Sequence, residues 1–143
     1  MYLEPTDAGV RSLLDRSISG PVVMLNLLRL RDTADYSASP ELAPAEPISG
    51  RQAYQRYIDH TTPYLEATGG KVLLLGEGGR HLIGPTEERW DLVMLVQQAS
   101  VQDFLSFAQN DGYLAGIGHR VAAVEDSRLL PVSPAPTATR TIG

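Results

Sequence analysis

Two polar side chains lie inside an otherwise apolar segment, and their types are those that could do chemistry. Residues 22–30 are nearly all apolar, yet they include Asn26 and Arg29. A polar group in a buried strand is costly unless it has a partner or reaches a cavity. Asn26 and Arg29 are therefore candidate catalytic residues, able to polarise a carbonyl or stabilise an enolate. The structural alternative is that Arg29 reaches solvent or pairs with Asp91 or Asp126.

His119 and Tyr54 are candidates for exchanging a proton with a substrate. On a continuous helix His119 would lie opposite the apolar stripe of Leu114, Ile117 and Val121, which favours an ordinary exposed histidine. Gly116 and Gly118 could break this register and turn His119 toward a dimer partner or a pocket mouth. Tyr54 falls on an apolar helical stripe, so core packing explains it as well. Both roles stay open at this stage.

Trp90, Asp91 and Arg120 are candidate ligand-binding residues. Trp90 and Asp91 open a predicted strand. There Trp90 could simply anchor the end of the sheet, while Asp91 accepts hydrogen bonds from backbone amides or from an arginine. Arg120 could face a pocket mouth or a second subunit, because two nearby glycines weaken the helix that carries it.

The sequence shows no metal-binding or phosphate-binding pattern. It has no cysteine and only 3 histidines, at wide spacing, so we predict neither a metal site nor a cofactor. Haem ligation by His119 or His81 stays an alternative that no attachment motif supports. The glycines in residues 76–79 lack the dinucleotide and phosphate-loop patterns, and we interpret them as a bulge in a strand.

The order of elements predicts the architecture. Apolar runs at 22–30, 71–75 and 90–96 and a segment at 127–132 have strand character, and capped helical patterns begin after Ser49 and Ser100. The resulting order, βαββαβ, predicts a ferredoxin-like α+β fold with a four-stranded antiparallel sheet. We assign this domain to residues 21–132, preceded by an extra N-terminal helix in residues 1–20 that Thr6 would cap.

Two segments have no periodic pattern. Residues 31–49 are polar and contain three prolines, and we interpret them as a mobile flap. Residues 133–143 are rich in Pro, Ala and Thr, and we predict a disordered tail.

The predicted strands are too apolar for a sheet that is covered on one face only. Monomers rarely expose apolar patches above a few hundred Å². A second copy of the same sheet would cover the bare face, so we predict a two-fold symmetric homodimer, a dimeric α/β barrel. The alternative is that the flap or the tail covers this face, although both segments are too polar to cover an apolar surface.

Charge and hydropathy limit the partners. The formal net charge is −5 and the chain has a single lysine, which argues against nucleic-acid binding. Charged residues interrupt the first 16 positions, and no apolar run is long enough for a membrane span. We therefore expect a soluble cytoplasmic protein with no membrane partner.

Several ordered motifs resemble a known family. They are residues 21–29, the pattern Gly50-x-x-Ala53-Tyr54-x-x-Tyr57, Gly69-Gly70, the connection from Leu82 to Asp91, and residues 119–129. Over residues 21–131 the chain resembles the domain of unknown function 1330 family of the dimeric α/β-barrel superfamily. The resemblance implies the barrel fold, while relatives in the superfamily range from cofactor-free monooxygenases and isomerases to haem enzymes and stress-induced proteins.

These observations favour a dimer that binds a small, largely apolar organic molecule in each subunit. One version performs cofactor-free monooxygenase or isomerase-like chemistry with Asn26, Arg29, His119 and Tyr54. A second version is a non-enzymatic ligand-binding or stress-associated module. A third is a purely structural dimer whose sheet-to-helix space is filled by side chains.

Overall fold

A four-stranded antiparallel sheet forms the centre of the structure, a computed structural model that describes residues 1–134. Its strands are β1 (Val22–Leu30), β2 (Lys71–Arg80), β3 (Arg89–Gln98) and β4 (Val124–Val132). The strand order across the sheet is β2-β3-β1-β4, so the first and third strands are central. This order is that of a ferredoxin-like fold, and it confirms the architecture predicted from the order of elements.

Helices cover one face of this sheet. Their bounds are α1 (Asp7–Asp15), α2 (Gly50–Ala67), α3 (Val101–Ala108), α4 (Asp111–Leu114) and α5 (Ile117–Ala123), with a short 3-10 helix at Pro40–Leu42. The N-terminal helix is present as predicted, and the Thr6 hydroxyl accepts a hydrogen bond from the backbone N–H of Gly9 at 3.0 Å. It ends earlier than Gly20, because Ser17 adopts a positive φ of 50° that a helix cannot contain.

Strand β1 lies in the centre of the sheet, and its side chains point alternately toward the helices and toward the opposite face. Val22, Met24 and Leu28 point toward the helices and are almost completely buried. Val23 and the other residues at alternate positions lie on the opposite face of the sheet. The predicted bounds of this strand are confirmed.

The opposite face, here called the open face, is apolar and is not covered by the helices. One row of leucines crosses all four strands, because Leu25 pairs with Leu95 on β3 and Leu130 on β4, while Leu95 pairs with Leu74 on β2. Leu74 and Leu130, on the two edge strands, are 49% and 56% exposed. Neither residues 31–49 nor the N-terminal helix supplies the residues that bury this row.

Strand β2 differs from the prediction. It continues through the glycines to Arg80, and the shift in register falls between Val72 and Leu74, so the glycines are not the bulge. Gly78 has another role, because a Cβ at this position would overlap the backbone carbonyl of Trp90 on the neighbouring strand. The missing side chain lets the two strands lie close together.

Residues 31–49 pack against α5 instead of extending into solvent. Backbone hydrogen bonds join Asp35 to the carbonyl of Ala122 and Ala34 to that of Ile48. Tyr36 is buried in the core, and Gly118 of α5 leaves room for the side chains of the loop. The loop therefore covers α5, and its mobility stays a prediction.

The N-terminal residues are attached to the last strand. The backbone N–H of Tyr2 donates to Asp126 at 2.9 Å, and the backbone N–H of Ser127 donates to the carbonyl of Tyr2 at 3.0 Å. Leu3 packs against the main core cluster.

The predicted disorder of residues 133–143 concerns positions that, apart from 133 and 134, lie outside the described residues. Within residues 1–134 no helix is long and apolar enough to cross a membrane.

Replacing Gly50 with alanine should destabilise the fold. The backbone N–H of Gly50 donates to the carbonyl of Arg31 at 3.1 Å, and a Cβ on Gly50 would overlap that same carbonyl oxygen and approach the carbonyl of Ala123 at 2.9 Å. Because α2 would have to move away from the end of β1, we expect Gly50→Ala to lower the free energy of unfolding by about 1–3 kcal/mol in urea titration.

Gly76→Ala is the matched control. A Cβ there would meet no atom nearer than 3.9 Å, so its effect should stay within about 0.5 kcal/mol. Equal stability of the two variants would contradict a close approach at Gly50.

Candidate functional site

A cleft separates α2 from the neighbouring strands at the β2 edge of the sheet. Its volume is about 350 Å³, which falls in the range of small-molecule pockets. Its apolar wall consists of Tyr54, Ile58, Leu75 and Leu92, and its polar members include Arg51, Gln55 and Glu77. The cleft exists because α2 does not cover β2, whose residues 71–75 are all exposed.

A second, wider cavity of about 600 Å³ adjoins the cleft, and Arg51 lines both. It is formed where three elements meet: Arg31 follows β1, Ser49 precedes α2, and Arg89 and Asp91 begin β3. The two cavities are therefore neighbours on either side of Arg51, and together they are called the groove, with an apolar end and a charged end.

Asp91 is held rigidly at the charged end. One carboxylate oxygen accepts a hydrogen bond from the backbone N–H of Leu30 at 2.8 Å, and the other accepts from Nε of Arg89 at 3.2 Å. Asp91 thus bonds to both a backbone amide and an arginine, which is the structural role considered above. It also lines the groove, and its part in ligand binding stays a prediction.

Tyr54 lies at the inner wall of the cleft and is 3% exposed. Its hydroxyl donates to the sulfur of Met94 at 3.4 Å. Burial disfavours the phenolate and raises the pKa of Tyr54 to about 12, against a smaller opposing effect from the charge of Arg120. Tyr54 is therefore a protonated phenol at neutral pH, which can donate a hydrogen bond but does not act as a base.

Asn26 and Arg29 lie on opposite faces of β1, as their spacing predicts. Asn26 is on the helix-facing side, half-buried, and its side-chain amide donates to the carbonyl of Met24 at 3.2 Å. Arg29 is on the open face, where its guanidinium lies 3.6 Å from the carboxylate of Glu125 and 3.9 Å from that of Asp126. Neither lines the groove, so they do not meet Tyr54 there.

His119 faces the loop of residues 31–49. Its Nδ1 is hydrogen-bonded to the Tyr36 hydroxyl at 2.8 Å, and the two rings meet edge to face. Burial lowers the pKa of His119 below its ordinary value, and the positive charge of Arg56 and the neighbouring His60 lower it further. His119 is therefore half-buried, and its role in proton exchange stays a prediction.

Trp90 and Arg120 make structural contacts away from the groove. Trp90 is 4% exposed, and the guanidinium of Arg128 lies 5.0 Å from the centre of its ring. Arg120 donates to the carbonyl of Leu3 at 2.8 Å and to the hydroxyl of Ser127 at 3.3 Å. Arg120 therefore fixes the N-terminal segment against β4. Ligand binding by Trp90 and Arg120 stays a prediction.

The structure brings only Tyr54 and Asp91 of the seven predicted site residues to the groove. It adds residues that the sequence analysis did not single out, chiefly Arg31, Arg51 and Arg89. One signal was available in the sequence: the cleft residues of α2 are Arg51, Tyr54, Gln55 and Ile58, a spacing of three, four and seven that marks one face of a helix.

No group of three or more His, Asp or Glu side chains in residues 1–134 is arranged to hold a metal ion. Of the two histidines considered for haem, His119 is bonded to Tyr36, and Nε2 of His81 lies 2.9 Å from a carboxylate oxygen of Glu88. Haem binding stays an untested prediction.

The sheet order and the helices on one face define a ferredoxin-like α+β protein. This chain is 35% identical in sequence to RPA0582, a protein of unknown function from Rhodopseudomonas palustris, for which two solved structures match. The structure of the methylated protein gives a TM-score of 0.80 and covers 95% of this chain and 96% of its own. The other gives 0.78, with 94% and 98%. The chain therefore belongs to the same family as RPA0582.

A dimeric ferredoxin-like protein of unknown function from Thermobifida fusca is more distant. It is 10% identical, with a TM-score of 0.47, and the match covers 81% of this chain and 92% of the other. No protein-family model matches the chain, so its membership of the domain of unknown function 1330 family is not confirmed. A search of curated proteins also gives no match.

The lowered pKa of His119 predicts how stability depends on pH. Below about pH 6.5 the unfolded chain binds a proton at this histidine before the folded chain does, so the folded state loses stability as the pH falls. Above this value the contribution is fully present. Urea titrations at pH 7.5 and 5.5 should show that the wild type loses more stability on acidification than His119→Gln, which cannot titrate.

Tyr36→Phe is the control for this experiment. It removes the hydrogen bond but keeps a buried histidine, so it should be less stable than the wild type at both pH values while keeping the wild-type dependence on pH. The interpretation fails if His119→Gln and the wild type lose equal stability between the two pH values.

Proposed function

We propose that each subunit of this protein binds a small, largely apolar organic molecule in the cleft between α2 and strands β2 and β3. The observation that carries the proposal is the cleft itself. Its volume of about 350 Å³ is not filled by side chains, and its lining combines apolar and polar side chains. Ligand pockets combine these two features, because apolar walls supply affinity and a few polar groups fix the orientation.

The unfilled cleft also argues against the purely structural dimer, which would have its sheet-to-helix space occupied by side chains. Between the other two versions, the lining residues favour a binding module. Tyr54 is protonated at neutral pH, and the other cleft residues are apolar groups, amides or members of an ion pair, namely Arg51 with Glu77 at 2.8 Å. Catalytic roles for Asn26, Arg29 and His119 stay predictions.

The second part of the proposal is that two chains associate through the open face. The row formed by Leu25, Leu74, Leu95 and Leu130 is supported by further apolar side chains on the same face, among them Val23, Leu27 and Val93. Burying apolar surface is favourable by about 25 cal/mol per Å², so a second copy of the same face is a suitable partner. A two-fold axis would place like residues opposite one another.

Blocking the cleft should abolish binding of a neutral apolar probe. We expect 4-phenylbutanamide to give saturable chemical-shift changes in the 15N-labelled protein, with a dissociation constant in the millimolar range that suits so small a ligand. Gln55 is exposed and lines the cleft, so Gln55→Trp should fold normally and weaken binding roughly tenfold by occupying the space.

Glu66→Trp adds the same ring at an exposed position of α2 outside the cleft and should bind the probe as the wild type does. The cleft is not the binding site if both variants bind the probe equally well.

A charge on the open face should separate the subunits. In analytical ultracentrifugation at micromolar concentration we expect the wild type to sediment at twice the mass of the chain and Leu130→Glu to sediment as a single chain. The carboxylate would be buried without a partner in the dimer. Leu14→Glu is the matched control, because Leu14 is also exposed, at 45%, but lies on α1. A wild type that sediments as a single chain would overturn the dimer.

A further inference from the structure

The charged end of the groove is lined by three arginines and by two acids, Asp32 and Asp91. Three guanidinium groups line it, those of Arg31, Arg51 and Arg89. This is notable in a chain whose formal net charge is −5. Arginines placed together without full pairing repel one another, and such an arrangement is typical of sites that bind an anion.

Arg31 is the least satisfied of the three. Its side chain makes no hydrogen bond and no salt bridge to the residues that the structure describes, and its Nε is buried without a partner. The nearby acid Asp35 instead accepts hydrogen bonds from Ser37. A buried N–H with no acceptor costs free energy. The terminal nitrogens of Arg31 also lack a bond to the described residues, and an anion in the cavity would supply acceptors for the guanidinium group.

The other two arginines retain unused donors. Arg89 donates through Nε to Asp91, which leaves its two terminal nitrogens without a bond in residues 1–134. Arg51 donates through one terminal nitrogen to Glu77, in an ion pair whose side chains are 49% and 75% exposed. An exposed pair of this kind contributes little to stability, so a ligand can exchange for Glu77 at small cost.

The position of Arg51 connects this charge to the apolar cleft. Arg51 lines both cavities, so a molecule whose apolar body lies against Tyr54 and Ile58 would extend its end group toward Arg31 and Arg89. Guanidinium groups bind planar carboxylates with paired hydrogen bonds. We propose that the ligand is an organic acid, with its apolar body in the cleft and its carboxylate held by Arg31, Arg51 and Arg89. This inference rests on the proposed binding function.

The experiment compares an acid with its neutral counterpart. The probes are 4-phenylbutyrate and 4-phenylbutanamide, which share the same body, and both are titrated into the 15N-labelled full chain at pH 7.5. We expect the wild type to bind the acid about tenfold more tightly, because a charge-assisted bond replaces a neutral one. Raising the salt concentration should weaken binding of the acid and leave that of the amide unchanged.

Three variants test which residues hold the carboxylate: Arg31→Gln, Arg51→Gln and the double variant that combines them. Each single change should reduce the preference for the acid, and the double variant should reduce it most, because Arg89 alone then remains to hold the carboxylate. Arg56→Gln is the matched control, since it removes the same charge from an exposed position of α2 outside the groove, and it should keep the wild-type preference.

Three outcomes would overturn the inference, and they differ from one another. If the amide binds in the cleft but the wild type shows no preference for the acid, the carboxylate site is wrong while the proposed binding function stands. If the double variant keeps the full wild-type preference, the acid is held by other residues. If neither probe binds, the proposed function fails and the inference fails with it.

Discussion

The structure depends on a pair of central strands that are apolar on both faces while helices cover only one. On the helix-facing side the largest fully buried side chains include Met24 and Leu28, and here the core is complete within one chain. On the other side a row of leucines crosses the whole sheet. The free energy of burying this second face can be gained only by covering it, and within residues 1–134 the two ends of the row, Leu74 and Leu130, stay 49% and 56% exposed.

The position of α2 determines where the cleft lies. Gly50 brings the start of the helix into contact with the end of β1, and the helix then covers the centre of the sheet, burying Ala53, Tyr54 and Leu65. Strand β2 lies beyond its reach and stays exposed. The cleft is the space between a helix fixed at its start and an edge strand that it does not cover.

The same contact at Gly50 brings the arginines together. Arg31 follows β1 directly, Arg51 is in the first turn of α2, and Arg89 begins β3, so the junction of these three elements places three positive charges around one cavity. One acid of this cavity, Asp91, bonds to the backbone of Leu30 and to Arg89. The backbone contact at Gly50 therefore determines both how α2 packs against β1 and where the three arginines lie.

The sequence by itself determined the order and type of the elements, the helix caps at Thr6, Ser49 and Ser100, and the apolar character of both faces of the sheet. These features follow from local periodicity and capping, which depend on neighbours a few residues away. It also placed Asn26 and Arg29 on opposite faces of β1 correctly, because side chains alternate along any strand.

Only the tertiary structure decided which polar residues meet. The three arginines of the groove are far apart along the chain, at positions 31, 51 and 89. The local sequence around each one does not distinguish it from an ordinary exposed arginine. The bulge in β2 falls at Leu73, where no glycine indicates it, and His119 is half-buried because Tyr36 arrives from a loop without periodic pattern. Such contacts depend on how distant segments pack, and the spacing of residues along the chain does not contain that information.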